Sequence, residues 1–160
     1  MADPETARAL TKNPLGASGR AVAANVERLR TQQNLTFAAL SERLEALGRP
    51  IPPLGLRKIV AETRRVDADD LVGLAAALGV TPISLLMPHT ANGRDEVAVT
   101  GIDFPINASA VWLWLRGSNP LPGDDRIPLV FQSAAWPDWR IRQQMAEQDR
   151  VQGGLTDGDD

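Results

Sequence analysis

Apolar residues recur at helical spacing from about Arg20 to Leu86, and cap or stop residues cut that stretch into five short segments. Val22, Val26 and Leu29 fall at i, i+4 and i+7, which predicts a first helix over about Arg20 to Gln33, started near Ser18 and stopped at Asn34 in a left-handed conformation. Thr36 has the side-chain oxygen to cap a second helix, with Ala39, Leu40, Leu44 and Leu47 on its inner face and Gly48 at its end. After the loop Arg49 to Pro52, Pro53 suits the first turn of a third helix, where its missing N–H has no partner to lose. Leu56, Ile59 and Val60 anchor that helix, which is expected to run to Thr63 or Arg65. Asp67, with Asp70 three residues on, predicts the start of a fourth helix whose stripe is Leu71, Leu74, Ala75 and Leu78 and whose stop is Gly79. Thr81-Pro82 caps a short fifth helix, whose Ile83, Leu86 and Met87 should close over the core before Pro88 ends it.

The pattern weakens beyond Pro88. Glu96 to Gly101 alternates as a short strand does, and Asn107 suits the cap of a helix over Ala108 to Arg116 with Gly117 as its stop, although Val111 to Leu115 also reads as strand. Residues 117–125 read as loop, 126–133 give no clear signal, and Asp138 to Gln152 reads as a last helix. The fold expected is mainly α: a five-helix domain followed by a small α+β or α accessory segment. Its parts are a flexible arm over 1–18, the helical domain over 19–88, a linker over 89–92, a tryptophan-containing accessory or association segment over 93–150, and a disordered acidic tail over 151–160.

Charge sharpens this division. The chain of 160 residues has net charge -3, but residues 19–86 hold nine basic against seven acidic residues, +2, and the remainder from 87 onward holds six against eleven, -5. Attraction to a polyanion depends on the local field, so an acidic second half is compatible with a basic binding face on the first. With no cysteine and a single histidine, His89, thiolate chemistry and multi-histidine metal sites are closed within one chain. No catalytic constellation, metal site or cofactor is expected. No apolar run approaches the roughly 20 residues of a membrane span, and the first residues lack the apolar core of a secretion signal, so a cytoplasmic protein is expected.

The segment NVERLRTQQNLTFAALSERL resembles the first two helices of XRE-type, Cro/lambda-repressor-like helix-turn-helix regulators. LGRPIPPLGLRKIVAETRRVDADDLVGLAAALGVTPISLLMP resembles the version common in actinobacteria and their phages, so the resemblance covers about half the chain. It implies a sequence-specific DNA-binding transcriptional regulator, a repressor of phage, prophage or local operon type, with double-stranded DNA as partner. The helix starting at Pro53 would enter a major groove, with Arg57 and Lys58 near base edges, Thr36 near the DNA backbone, and Arg49, Arg64 and Arg65 near phosphates. Pro53, Leu54 and Gly55 would stand where other members place hydrogen-bonding side chains, leaving van der Waals contact and shape for readout.

Four features depart from the family pattern. Phe37 replaces a glutamine that touches the DNA backbone. Val60 replaces an acid that pairs with the arginine matching Arg30, which would leave Arg30 free. Glu62-Thr63 replaces a glycine-containing stop, so that Arg64 and Arg65 would ride on a longer third helix, and the loop Glu45 to Pro50 is extended. Phe37 and the prolines keep open an alternative: an antitoxin-like or adaptor interaction module with weakened DNA binding. Trp112, Trp114, Trp136 and Trp139 are read first as the core of the accessory segment, and residues 93–150 as a route to a homodimer or a partner protein.

Overall fold

The computed structural model describes residues 14–153. Of the expected arm over 1–18 and the expected tail over 151–160, residues 1–13 and 154–160 lie outside the described residues, whereas residues 17–18 begin a helix and 151–153 end one. The fold is mainly helical, with eight helices and one two-stranded sheet among the described residues. Contacts divide it into two compact units, one running to Ala108 and the other starting at Ser109. No helix of the described residues is long and apolar enough to cross a membrane.

The first unit carries five helices: α1 (Ala17–Gln32), α2 (Phe37–Ala46), α3 (Pro53–Val60), α4 (Ala68–Leu78) and α5 (Pro82–Leu86). Side-chain oxygens cap three of the five N-termini. Oγ1 of Thr36 accepts from the N–H of Ala39 at 3.0 Å, the Asp67 carboxylate from Asp70 at 2.7 Å, and Oγ1 of Thr81 from Ser84 at 3.2 Å. Asn34 turns out of α1 at φ 53°, and Gly79 ends α4 at φ 67°. Ser18 is not the cap of α1: Gly16 occupies that position, and the Ser18 hydroxyl instead accepts the N–H of Thr100 at 3.1 Å.

Val22, Val26, Leu40, Leu44, Leu56, Ile59, Leu74 and Leu78 are buried as their spacing predicts, while Leu29, Leu71 and Leu86 pack partly exposed around them. Each such burial stabilises by roughly 1.5–3 kcal/mol. Ile51 in the α2–α3 loop joins the core. On α5 the fully buried residue is Leu85, which the expected trio of Ile83, Leu86 and Met87 left out; of the three, Leu86 packs partly buried against the core. Asn25 of α1 accounts for this: buried, it donates through Nδ2 to the carbonyls of Leu85 at 3.0 Å and Met87 at 2.7 Å, which fixes the rotation of that short helix.

The third helix stops at Val60, short of the expected Thr63 or Arg65. Glu62 adopts the left-handed conformation, φ 60°, that a glycine takes more cheaply, and the N–H groups of Thr63 and Arg64 both fold back to the Lys58 carbonyl, at 2.9 and 3.0 Å. Glu62→Gly should therefore raise stability by about 0.5–1 kcal/mol, measured as a higher urea midpoint at unchanged slope. An unchanged or lower midpoint would show that this stop carries no strain.

The first unit continues past the expected linker. Strands β1 (Glu96–Val97) and β2 (Ile106–Asn107) pair antiparallel, Glu96 opposite Asn107 and Val97 opposite Ile106. The strand expected to reach Gly101 is cut short because the chain turns there, with Gly101 at φ 83° and the Ile102 N–H on the Val99 carbonyl. Reciprocal bonds between Ser18 and Thr100 tie this turn to α1, so residues 93–108 belong with the helical unit.

The second unit holds α6 (Ala108–Leu115, most of it in this unit), α7 (Pro128–Ala135) and α8 (Asp138–Gly153). Val111 to Leu115 is helix, and Gly117 at φ 72° turns the chain where a Cβ would come within 3.0 Å of Trp136. The tryptophans are not its core. Trp112 and Trp139 are exposed, Trp114 and Trp136 half-buried, and Val111 and Phe131 are the buried side chains instead. On α6 the turn that points Val111 inward rotates its neighbour Trp112 by about 100° toward solvent. Two arginines stack on aromatic rings here: Arg140 over Trp136 at 5.3 Å and Arg126 over Phe131 at 5.4 Å. Arg126 also holds Asp124 bidentately, and this bond lowers the Asp124 carboxyl to about 2.

Candidate nucleic-acid interface

Two inward residues orient α3: with Leu56 and Ile59 fully buried, the turn geometry sets Pro53, Leu54, Arg57 and Lys58 on the outer face. Leu54 is 63% exposed, and Arg57 and Lys58 make no ion pair among the described residues. Helix α2 precedes α3 across the loop 47–52, which is held by the Ser41 hydroxyl donating to the Ile51 carbonyl at 2.7 Å. Thr36 stays at the exposed N-terminus of α2 but spends its side chain on the cap.

Phe37 carries a role of its own beside α3. Its ring lies under two guanidinium groups, Arg30 at 4.3 Å and Arg57 at 5.1 Å. Such stacking limits the rotamers Arg57 visits, and less entropy is then lost when it binds an anion. Arg30 is not free as expected. It forms a paired bridge to Glu27 of its own helix and donates to the Leu35 carbonyl, while Val60 packs against the core. The bond to Arg30 lowers the Glu27 carboxyl below its usual range.

Arg49 and Arg64 are paired as well. Asp70 at the start of α4 is buried, and its two oxygens accept from Arg49 at 2.9 Å and Arg64 at 2.8 Å, while Arg49 reaches Asp67 at 3.2 Å and Asp69 at 3.7 Å. This cluster fastens the loops on both sides of α3 to α4. Gly55 belongs to it: a Cβ there would fall 2.6 Å from a guanidinium nitrogen of Arg64 and 3.1 Å from Ile51, so its bare backbone makes room for Arg64. Arg65 donates to the Pro14 carbonyl at 2.9 Å and remains largely exposed. Of the nine candidates, Pro53, Leu54, Arg57 and Lys58 thus share one outward face, Arg49, Gly55 and Arg64 brace it, and Thr36 and Arg65 stand at helix and loop ends.

Removing the brace has a defined cost. Asp70→Ala leaves two arginines without their shared acceptor, but both are more than a third exposed and recover water, so the expected loss is about 1–3 kcal/mol, less than for a fully buried pair. Urea unfolding checks it. Asp67 adds a pH dependence: the Asp70 N–H and the Arg49 charge lower its carboxyl in the folded state. Its contribution is therefore complete above the unfolded carboxylate value near 4 and is lost as pH falls through the lower folded value. Thermal midpoints measured from pH 5 downward should drop less steeply in Asp67→Asn than in the parent.

Comparisons with family models, with curated proteins and with solved structures give no match for this chain.

Proposed function

We propose that this chain is a sequence-specific DNA-binding transcriptional regulator of the helix-turn-helix kind, a repressor acting in the cytoplasm, with α3 as the element that enters the major groove. The observation that carries it is the outward face of α3, where Arg57 and Lys58 stand exposed and form no salt bridge among the described residues, while neighbouring arginines are paired with Asp70 and Glu27. A helix is the right width for a major groove, and two cations one residue apart can divide between a base edge and a phosphate. Leu54 beside them offers contact to a thymine methyl. Arg65 and the N-terminus of α2 at Thr36 are assigned to flanking phosphates, whereas Arg49, Gly55 and Arg64 position α3.

Self-association or a partner protein is assigned to the second unit, where Ile127, Leu129 and Val130 of the α7 region are exposed. Footprinting on the DNA upstream of the chain's own gene tests the proposal. A bounded protected stretch supports it, and uniform or absent protection at moderate salt contradicts it. An interaction module is the second function worth keeping, on one observation: Pro52, Pro53 and Leu54 make the start of α3 apolar and exposed, a surface suited to protein as well as to DNA. Without a footprint, that alternative stands.

A further inference from the structure

Four guanidinium groups lie over aromatic rings among the described residues, and three of them also have a side-chain acceptor: Arg30 has Glu27, Arg126 has Asp124 and Arg140 has Gln143. Arg57 is the exception. Its cation sits 5.1 Å from the centre of the Phe37 ring and meets no side-chain acceptor among the described residues. A π face attracts the charge without offering a carboxylate or carbonyl oxygen, so the N–H groups of Arg57 are held near one place with their donor capacity unspent. Phe37 suits that task by its own setting. It opens α2 directly after the Thr36 cap, packs half-buried against the core, and carries Arg30 over the same ring at 4.3 Å. The Glu27 carboxylate offsets the charge of Arg30, which would otherwise repel Arg57 from the ring. Lys58, the next residue of α3, has no ring beside it among the described residues and stays a mobile point charge.

We propose that Phe37 is the positioning residue for Arg57: it holds this guanidinium ready for a base edge, so that sequence preference depends on a ring that itself need not touch DNA. The inference rests on the DNA-binding reading of α3. An arginine free to rotate takes a phosphate or a base edge and loses rotamer freedom in either case. One confined beforehand favours the partner that its fixed position meets, so the ring raises discrimination between sequences more than it raises affinity for DNA at large.

The test uses the full chain and has one arm without DNA. In the parent, the δ-methylene protons of Arg57 should resonate upfield of ordinary arginine values through the ring current of Phe37, and Phe37→Leu should return them to those values. In the second arm, affinities for the upstream duplex and for a shuffled duplex are measured at fixed salt. Phe37→Leu should lower the ratio of the two by about three- to tenfold and leave the salt slope unchanged, because no phosphate contact is lost, whereas Phe37→Tyr, which keeps a ring, should retain the parent ratio. In an Arg57→Ala background, Phe37→Leu should have no further effect on that ratio, a non-additivity that a role in folding alone does not produce. Far-UV circular dichroism establishes that each variant is folded, and Phe37→Met replaces Phe37→Leu if the latter is not. A parent ratio near one overturns the DNA-binding reading, and this inference with it. A parent ratio well above ten that survives Phe37→Leu, independent losses in the double variant, or Arg57 resonances that Phe37→Leu leaves unmoved overturn the inference alone.

Discussion

Leu56→Ala is expected to cost the helical unit about 2–5 kcal/mol, while Leu54→Ala, two positions away on the same helix, should change stability by less than about 0.5 kcal/mol. Leu56 has no exposed surface and sits in the cluster of Val26, Leu40, Leu44 and Ile59, so truncation removes its transfer free energy and leaves a cavity that the surrounding helices refill only in part. Leu54 is 63% exposed, and its truncation removes little that is not already in water. The pair reports the rotation of α3 about its axis. Urea denaturation of both variants gives the contrast, and equal losses would mean that Arg57 and Lys58 do not face outward as described.

Several elements were legible because their causes are local. Thr36, Asp67 and Thr81 each cap a helix with an oxygen three residues from the N–H it receives, and Asn34 and Gly79 supply the left-handed turns that end α1 and α4. What escaped depends on partners distant along the chain. Asp70 reads as a helix-start residue, and nothing in the spacing announces that it also receives Arg49 from 21 residues away and Arg64 from six. The rotation of α5 is set by Asn25, about 60 residues earlier, and its five residues are too few for a period to show the inward side. The Ser18–Thr100 bonds, spanning 82 residues, draw the turn after β1 onto α1 and move the boundary of the first unit to Ala108. The tryptophans misled because burial was inferred from size, whereas Val111 and Phe131 occupy the inward positions of their helices. On α3, by contrast, the exposed pair Arg57-Lys58 followed directly from Leu56 and Ile59 as inward anchors.

The second large effect concerns those two cations. Arg57→Ala should weaken binding to the preferred DNA by about 1–3 kcal/mol, as the loss of a bidentate base contact does, with a smaller effect on random duplex. Lys58→Ala should weaken both and reduce the dependence of log affinity on log salt by about 0.9, the release of one phosphate counterion. Arg64→Ala should behave differently from both. Its partner is Asp70, so its loss belongs mainly to folding stability, and the folded fraction should keep the parent salt slope.

The most direct measurement is the ratio of affinities for the upstream duplex and for a shuffled duplex of the same composition, at fixed salt, in the parent chain and in Arg57→Ala. A parent ratio well above ten that collapses toward one in Arg57→Ala is the result expected of a helix that reads the groove through that side chain. A parent ratio near one, or a high ratio that survives Arg57→Ala and Lys58→Ala while Arg64→Ala abolishes binding by folded protein, would contradict it.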